Sequence, residues 1–200
     1  MGIGHQKAKQ TSFLRTNGQH QFTHGGVLRK KKLCRGARPL STREPIHAVF
    51  KVERARLKHK SLRTPQNFKL VLKIIEKYAK YFSVKVEQLS VQNDHAHLLI
   101  RSPRRKPFHH FFRVVAGQIA QRFEKEGLLS RMTDTPAQRS KTAQSLWKYR
   151  PFTRVIRGWK AYKIVRNYIQ LNEKVARKEI RYQKKRLKGL SSSDWQILWA

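Results

Sequence analysis

Two histidines flank a single alanine at His95-Ala96-His97, inside the segment HAHLLIR. In a strand, residues i and i+2 share a face, with Cα atoms about 6.6–7 Å apart. Both imidazoles can then turn onto one cation at about 2.0–2.2 Å, leaving coordination positions open for substrate oxygens. Downstream, Tyr168 and Asn172 stand four apart, which on a helix puts them on one face, a turn from each other. A tyrosine can serve as a covalent nucleophile, and an asparagine offers an amide oxygen to a hard cation. Each feature also has a plain explanation. With 9 histidines in the chain a His-x-His pair arises readily by chance, and a helical tyrosine most often packs into a core. Together they meet the needs of DNA cleavage by a tyrosine. The phosphodiester anion must be neutralised and polarised for in-line attack, and a phenol, which ionises near pH ~10 in water, needs cationic surroundings.

The elements that would carry these residues follow from periodicity. His47-Ala-Val-Phe-Lys-Val52 alternates as a half-buried strand. Thr64-Pro65 marks a helix start, with Thr64 as N-cap, and Phe68, Val71, Leu72, Ile75, Tyr78, Ala79 and Phe82 fall at helical spacing. Val84–Val91 reads as a strand whose apolar parity changes between Val86 and Leu89, so a bulge is expected there. An Asn93-Asp94 turn joins it to the strand 95–101, an antiparallel hairpin with Ala96, Leu98 and Ile100 facing the core opposite the histidines. A helix is expected around Phe108 to Glu126 and a loop over 130–145. A fourth strand or extended edge is expected over Trp147 to Ile156, then a long helix from Trp159 to Lys185. Beyond Gly189, Trp195, Ile197, Leu198 and Trp199 could dock on the body. The order β-α-β-β-α-β-α gives an α+β fold, a small antiparallel sheet under helices of the ferredoxin-like kind.

Composition points to a polyanionic partner. The 200 residues carry 46 Lys+Arg against 11 Asp+Glu, a formal charge of +35, which repels itself unless neutralised, and nucleic acid is the obvious counter-charge. Residues 1–43 hold ten Lys or Arg and no acid before Glu44; they read as a flexible basic arm. A catalytic domain is expected over 44–182 and a basic tail over 183–200. One cysteine, Cys34, excludes a disulfide framework and fits the cytoplasm. Met1 to Leu14 has no apolar core of a signal peptide, no apolar run reaches a membrane span, and no Walker loop implies a nucleotide cofactor. For DNA binding, Arg101, Arg104, Arg105 and Lys106 leave the histidine strand and could hold phosphates. Trp147, Tyr149 and Phe152, interleaved with Lys148, Arg150 and Arg154, would suit base stacking on single strands.

In several blocks over about residues 45–175 the sequence resembles the HUH-class single-tyrosine transposases, especially the REP-associated tyrosine transposases. His47–Val52 looks like the family's opening strand, Val91-Gln-Asn-Asp-His-Ala-His-Leu-Leu-Ile100 its metal-binding strand, and Asn167-Tyr-Ile-Gln-Leu-Asn172 its nucleophile helix. The resemblance implies an RRM-like HUH nuclease fold. It implies that His95, His97 and Asn172 bind a divalent ion, Mg²⁺ or Mn²⁺. Tyr168 would attack single-stranded or hairpin DNA, forming a 5′-phosphotyrosine and releasing a 3′-hydroxyl, in a monomer or homodimer. Two other readings account for the charge: a non-catalytic RNA- or ribosome-binding protein, which leaves His95, His97 and Tyr168 without a task, and another HUH nuclease such as a replication initiator.

Overall fold

The computed structural model describes residues 22–30, 37–130 and 145–199. Strands β1 (Thr23–His24), β2 (Ile46–Lys51), β3 (Lys85–Val91), β4 (His95–Arg101) and β5 (Phe152–Val155) form one sheet in the order β1-β5-β2-β4-β3, and each neighbouring pair is antiparallel. The helices are α1 (Gly26–Lys30), α2 (Pro65–Tyr81), α3 (Arg105–Lys125), α4 (Trp159–Ala176) and α5 (Ser192–Trp199). This is the expected α+β architecture. None of these helices is long and apolar enough to cross a membrane.

Alternation along β4 sorts the molecule into two faces. Ala96, Leu98 and Ile100 join Ile46, Ala48 and Phe50 of β2 in the main core under α2 and α3, where Phe108, Phe111, Val115, Ile119 and Phe123 are buried. Leu99 points the other way and packs with Ile156 and Ile169 beneath α4. By the same alternation, His95, His97 and His47 lie on the α4 side. The expected bulge is present: the β3–β4 register shifts between Val86 and Gln88, which lets Leu89 and Val91 return to the core face.

Several boundaries differ from the sequence reading, each for a physical reason. Thr64 occupies the N-cap position and Pro65 the first turn, but the Thr64 hydroxyl makes no capping bond. Helix α3 begins at Arg105, ahead of its first apolar residue. The fourth strand is confined to Phe152–Val155, with Trp147 joined to Val52 by an isolated bridge.

Helix α4 stops at Ala176, nine residues before the expected Lys185. Lys178 adopts φ +65°, and the N–H groups of Lys178 and Glu179 donate to the carbonyls of Val175 and Lys174. That is a Schellman closure without the glycine that normally announces one. The chain then turns back. Ile180 and Leu198 are buried against Leu171, so the end of the expected tail is docked on α4, as the apolar residues near the terminus suggest.

The arm also departs from expectation. Of residues 1–43, those described include β1, which pairs with β5 through Thr23↔Arg154 and His24↔Thr153. Its exit is shaped by Gly25 and Gly26 at φ +82° and +55°. A Cβ on Gly25 would collide with the Pro151 carbonyl, so this turn can lie on the 150–152 segment only as glycine. Residues 1–21 and 31–36, on which the rest of the flexible-arm expectation falls, lie outside the described residues.

Candidate functional site

β4 and α4 bring the chemistry-bearing residues together. His97 is buried, and its ring meets Tyr168 edge-on with centroids 5.5 Å apart. His95 Nε2 stands 2.9 Å from His97 Nε2. Behind them, Asp94 Oδ1 lies 2.5 Å from His95 Nδ1, and His47 Nε2 lies 3.0 Å from His97 Nδ1. Lys51 closes the row with its Nζ 3.2 Å from Asp94 Oδ2.

Proton bookkeeping along this row is restrictive. An ionised carboxylate can only accept, so His95 donates Nδ1–H to Asp94 and, when neutral, leaves Nε2 bare. With His97 Nε2 protonated, the row closes as a relay in which His97 donates to His95 and accepts from His47. With the proton on His97 Nδ1, donated to His47 Nε2, two bare nitrogens face each other 2.9 Å apart. Either the proton returns to the relay arrangement or a cation takes the place between the two nitrogens. Two neutral imidazoles on one strand face are a donor set that a divalent ion could share.

Asn172 shares the α4 face with Tyr168 and is buried. Its backbone carbonyl accepts from Gln92 Nε2 at 3.0 Å, while its side-chain oxygen accepts from Arg186. The Arg186 guanidinium also lies 5.6 Å from the Tyr168 ring centroid and 5.1 Å from that of Tyr182. Thus the amide oxygen expected at an ion is engaged by a residue of the returning C-terminal segment. Among the described residues no group of three or more His, Cys, Asp or Glu is arranged to hold a metal. The site offers two imidazoles, and a third protein ligand requires Asn172 to exchange partners. Glu173, next along α4, makes a two-pronged ion pair with Arg63 at 2.9 and 3.0 Å, and Arg63 also donates to the Val91 carbonyl. This clamp ties α4 to the hairpin that carries the histidines, and its two arginines, Arg63 and Arg177, keep the Glu173 carboxyl below its usual range against the opposing effect of burial.

Sequence reasoning missed His47 and Arg186 as members of this cluster, while Asp94, in the turn before His95, reads from the sequence as the one acid beside the site. His47 had a readable signal: strand alternation puts it on the polar face shared with His97, diagonal across the β2–β4 pairing in which Val49 is opposite His97. Burial is the main cause that lowers the His47 pKa to about 4, with Arg154 and His95 adding to it, and burial with His47 and His95 beside it likewise lowers that of His97. Neutral imidazoles are the form that binds a cation.

Two expectations follow. His47→Ala removes the partner that orients the His97 ring, so an ion held by His95 and His97 should lose about 10–100-fold in affinity, read with Mn²⁺ by calorimetry. His47→Gln, whose amide oxygen can still accept, recovers much of it. In acid, native His47 stays neutral down to about pH 4, while the unfolded chain takes up a proton near pH ~6.5. The unfolded state then binds more protons in that window, so stability falls as pH drops through it. Urea midpoints at pH ~7.5 and ~4.5 should differ, and His47→Gln should narrow the difference.

The expected DNA-binding residues divide into two groups. Arg154 lies on β5 opposite His47, and Lys148, Tyr149 and Arg150 line a cavity beside it. The others sit elsewhere. Arg101 is held by Glu87 at 2.6 Å and by the Arg43 carbonyl. Arg104, Arg105 and Lys106 follow it at the far end of β4, about 20 Å along the strand from His95. They are exposed but not beside the histidines. Trp147 is half-buried against the core: its indole N–H donates to the Ala116 carbonyl and its ring packs on Phe50.

Residues 45–172 match the model of the family described as transposase IS200 like. A search of curated proteins finds no match. Among solved structures, the chain is similar to a REP-associated tyrosine transposase bound to a REP hairpin, at 15% identity and TM-score 0.52, over 73% of this chain and 75% of that one. It also aligns with a protein from Deinococcus radiodurans R1 described as a transposase by inference, at 15% identity and TM-score 0.39, over 70% of this chain and 97% of that one. The family match covers well over half of the chain and contains β2 through most of α4, the elements that carry the histidines and Tyr168. The protein belongs to the IS200-like transposase family and is an enzyme of transposase type.

Proposed function

We propose that this transposase nicks and rejoins single-stranded or hairpin DNA through a phosphotyrosine formed on Tyr168. The observation that carries this reading is the meeting of His97 and Tyr168 rings across the β4–α4 interface at 5.5 Å. His95 and His97 would hold a divalent ion, Mg²⁺ or Mn²⁺, with Asn172 as a third ligand once Arg186 releases it. Bound there, the ion supplies charge neutralisation to the phosphodiester. Tyr168 Oη forms a bond to phosphorus as the bond to the 3′-oxygen breaks. The phenol loses its proton, the departing oxygen gains one, and a 3′-hydroxyl remains. The 5′-phosphotyrosine preserves the ester, so a second 3′-hydroxyl can reverse the step without a nucleotide triphosphate. Arg186 stands beside the phenol ring, 5.6 Å from its centroid. The solved neighbour's REP hairpin supports a hairpin substrate here, as does the +35 charge.

The test is direct. Labelled DNA hairpins with single-stranded flanks are incubated with the protein and Mg²⁺ or Mn²⁺, then run on denaturing gels. Label migrating with the protein, and vanishing with chelator, is expected; tight binding with no adduct across a varied hairpin set favours a non-catalytic binder.

A further inference from the structure

Beside the histidine row lies a cavity of about 420 Å³ lined by Gly26, Val27, Leu28, Val49, Lys51, Lys148, Tyr149, Arg150 and Phe152. Two observations set it apart from an ordinary surface hollow. Its floor adjoins the site: Val49 is paired opposite His97, Lys51 opposite His95, and Phe152 opposite Val49, with the Phe152 ring edge-on to His47 at 6.5 Å. Its far wall is α1, from a segment outside the residues matched by the family model. That wall is held in place by the Gly25-Gly26 turn, through Gly26 N–H to the Arg150 carbonyl at 2.9 Å. Val27 is exposed there although apolar.

We propose that this cavity takes one unpaired nucleobase of the DNA strand next to the phosphate at Tyr168. The chemistry of the lining commits to that occupant. Val27, Leu28, Val49 and Phe152 give apolar walls, and Tyr149 adds an aromatic ring, which suit the flat faces of a base. Lys148 and Arg150 are exposed and Lys51 partly so; these three cations flank apolar walls, as an anionic backbone around a base requires. A base within a duplex is stacked between its neighbours and cannot enter, so the pocket selects single strand. Lys51 shares Asp94 with His95, so the occupied pocket and the histidine pair are linked through one carboxylate. This inference rests on the nicking reading for its substrate, but binding can be read separately from cleavage.

The experiment uses the full chain as Tyr168→Phe, so that no chemistry occurs, and two probes of equal charge: a hexamer of thymidylate and a hexamer of abasic deoxyribose phosphates. Fluorescence anisotropy should give the base-bearing chain about tenfold the affinity of the abasic one. Val27→Ser and Tyr149→Ala, in that background, should each erase most of the preference while leaving abasic affinity in place, and Arg154→Gln should weaken both probes alike. Far-ultraviolet circular dichroism separates misfolding from loss of the pocket, and Val27→Ser keeps the test available if Tyr149→Ala unfolds. Equal affinity for the two probes, or a preference that survives both pocket variants, overturns the proposal. Absence of adducts in the wild-type chain would count against nicking and leave this binding result standing or falling by itself.

Discussion

Tyr168→Phe should form no covalent DNA adduct, a loss of at least about 10⁴-fold in rate, while hairpin affinity changes by less than about threefold. The asymmetry follows from what the substitution removes. The ring of Tyr168 packs against the Leu99–Ile156–Ile169 cluster and meets His97 edge-on, contacts that phenylalanine keeps. The hydroxyl has no hydrogen bond among the described residues, so its loss leaves no buried partner unsatisfied. On the proposed mechanism only the nucleophile disappears. A tyrosine that only packs would leave both stability and cleavage intact in this variant, so gel-resolved adducts distinguish the two roles and thermal unfolding serves as the control for folding.

His97→Ala should also abolish adduct formation, by about 10³-fold or more, but through another quantity. His97 is the middle of the row, with its two ring nitrogens at 3.0 Å from His47 and 2.9 Å from His95. Its removal strands both neighbours and deletes a ligand, so Mn²⁺ affinity should fall by more than the 10–100-fold expected for His47→Ala. Raised Mn²⁺ should restore part of the activity of His97→Ala and none of that of Tyr168→Phe. Should excess metal rescue neither, or should the two variants respond alike, the division into ion holder and nucleophile is wrong.

The parts of this arrangement written in local pattern were legible from the residues. Alternation of HAHLLIR placed His95 and His97 on one face and Ala96, Leu98 and Ile100 in the core, and the parity break in β3 located its bulge. Spacing put Tyr168 and Asn172 on one face of α4. What was not legible depends on non-local geometry. The β2–β4 register decides that His47, rather than Val49, reaches His97. The end of α4 relies on Lys178 at positive φ, a conformation that costs a lysine more than a glycine and leaves no trace in composition. From that end follows the return of Arg186 to Asn172. The arm's glycines look like flexibility until Pro151 stands beside them, when they become the requirement for close approach. Trp147 shows a related ambiguity: an aromatic among cations suits a stacked base and a half-buried packing position equally, and its bond to the Ala116 carbonyl is a contact that only the fold reveals.

The central claim is that the Tyr168 phenol becomes bonded to a DNA phosphate, and locating the adduct tests it most directly. After reaction with a hairpin oligonucleotide in Mn²⁺, exhaustive nuclease digestion and proteolysis should leave one modified peptide, its mass raised by a 5′-linked nucleotide and its fragments placing that mass on Tyr168. The same mass on Tyr162 or Tyr182, on a histidine, or on no peptide while the DNA is nonetheless cut, would contradict the account.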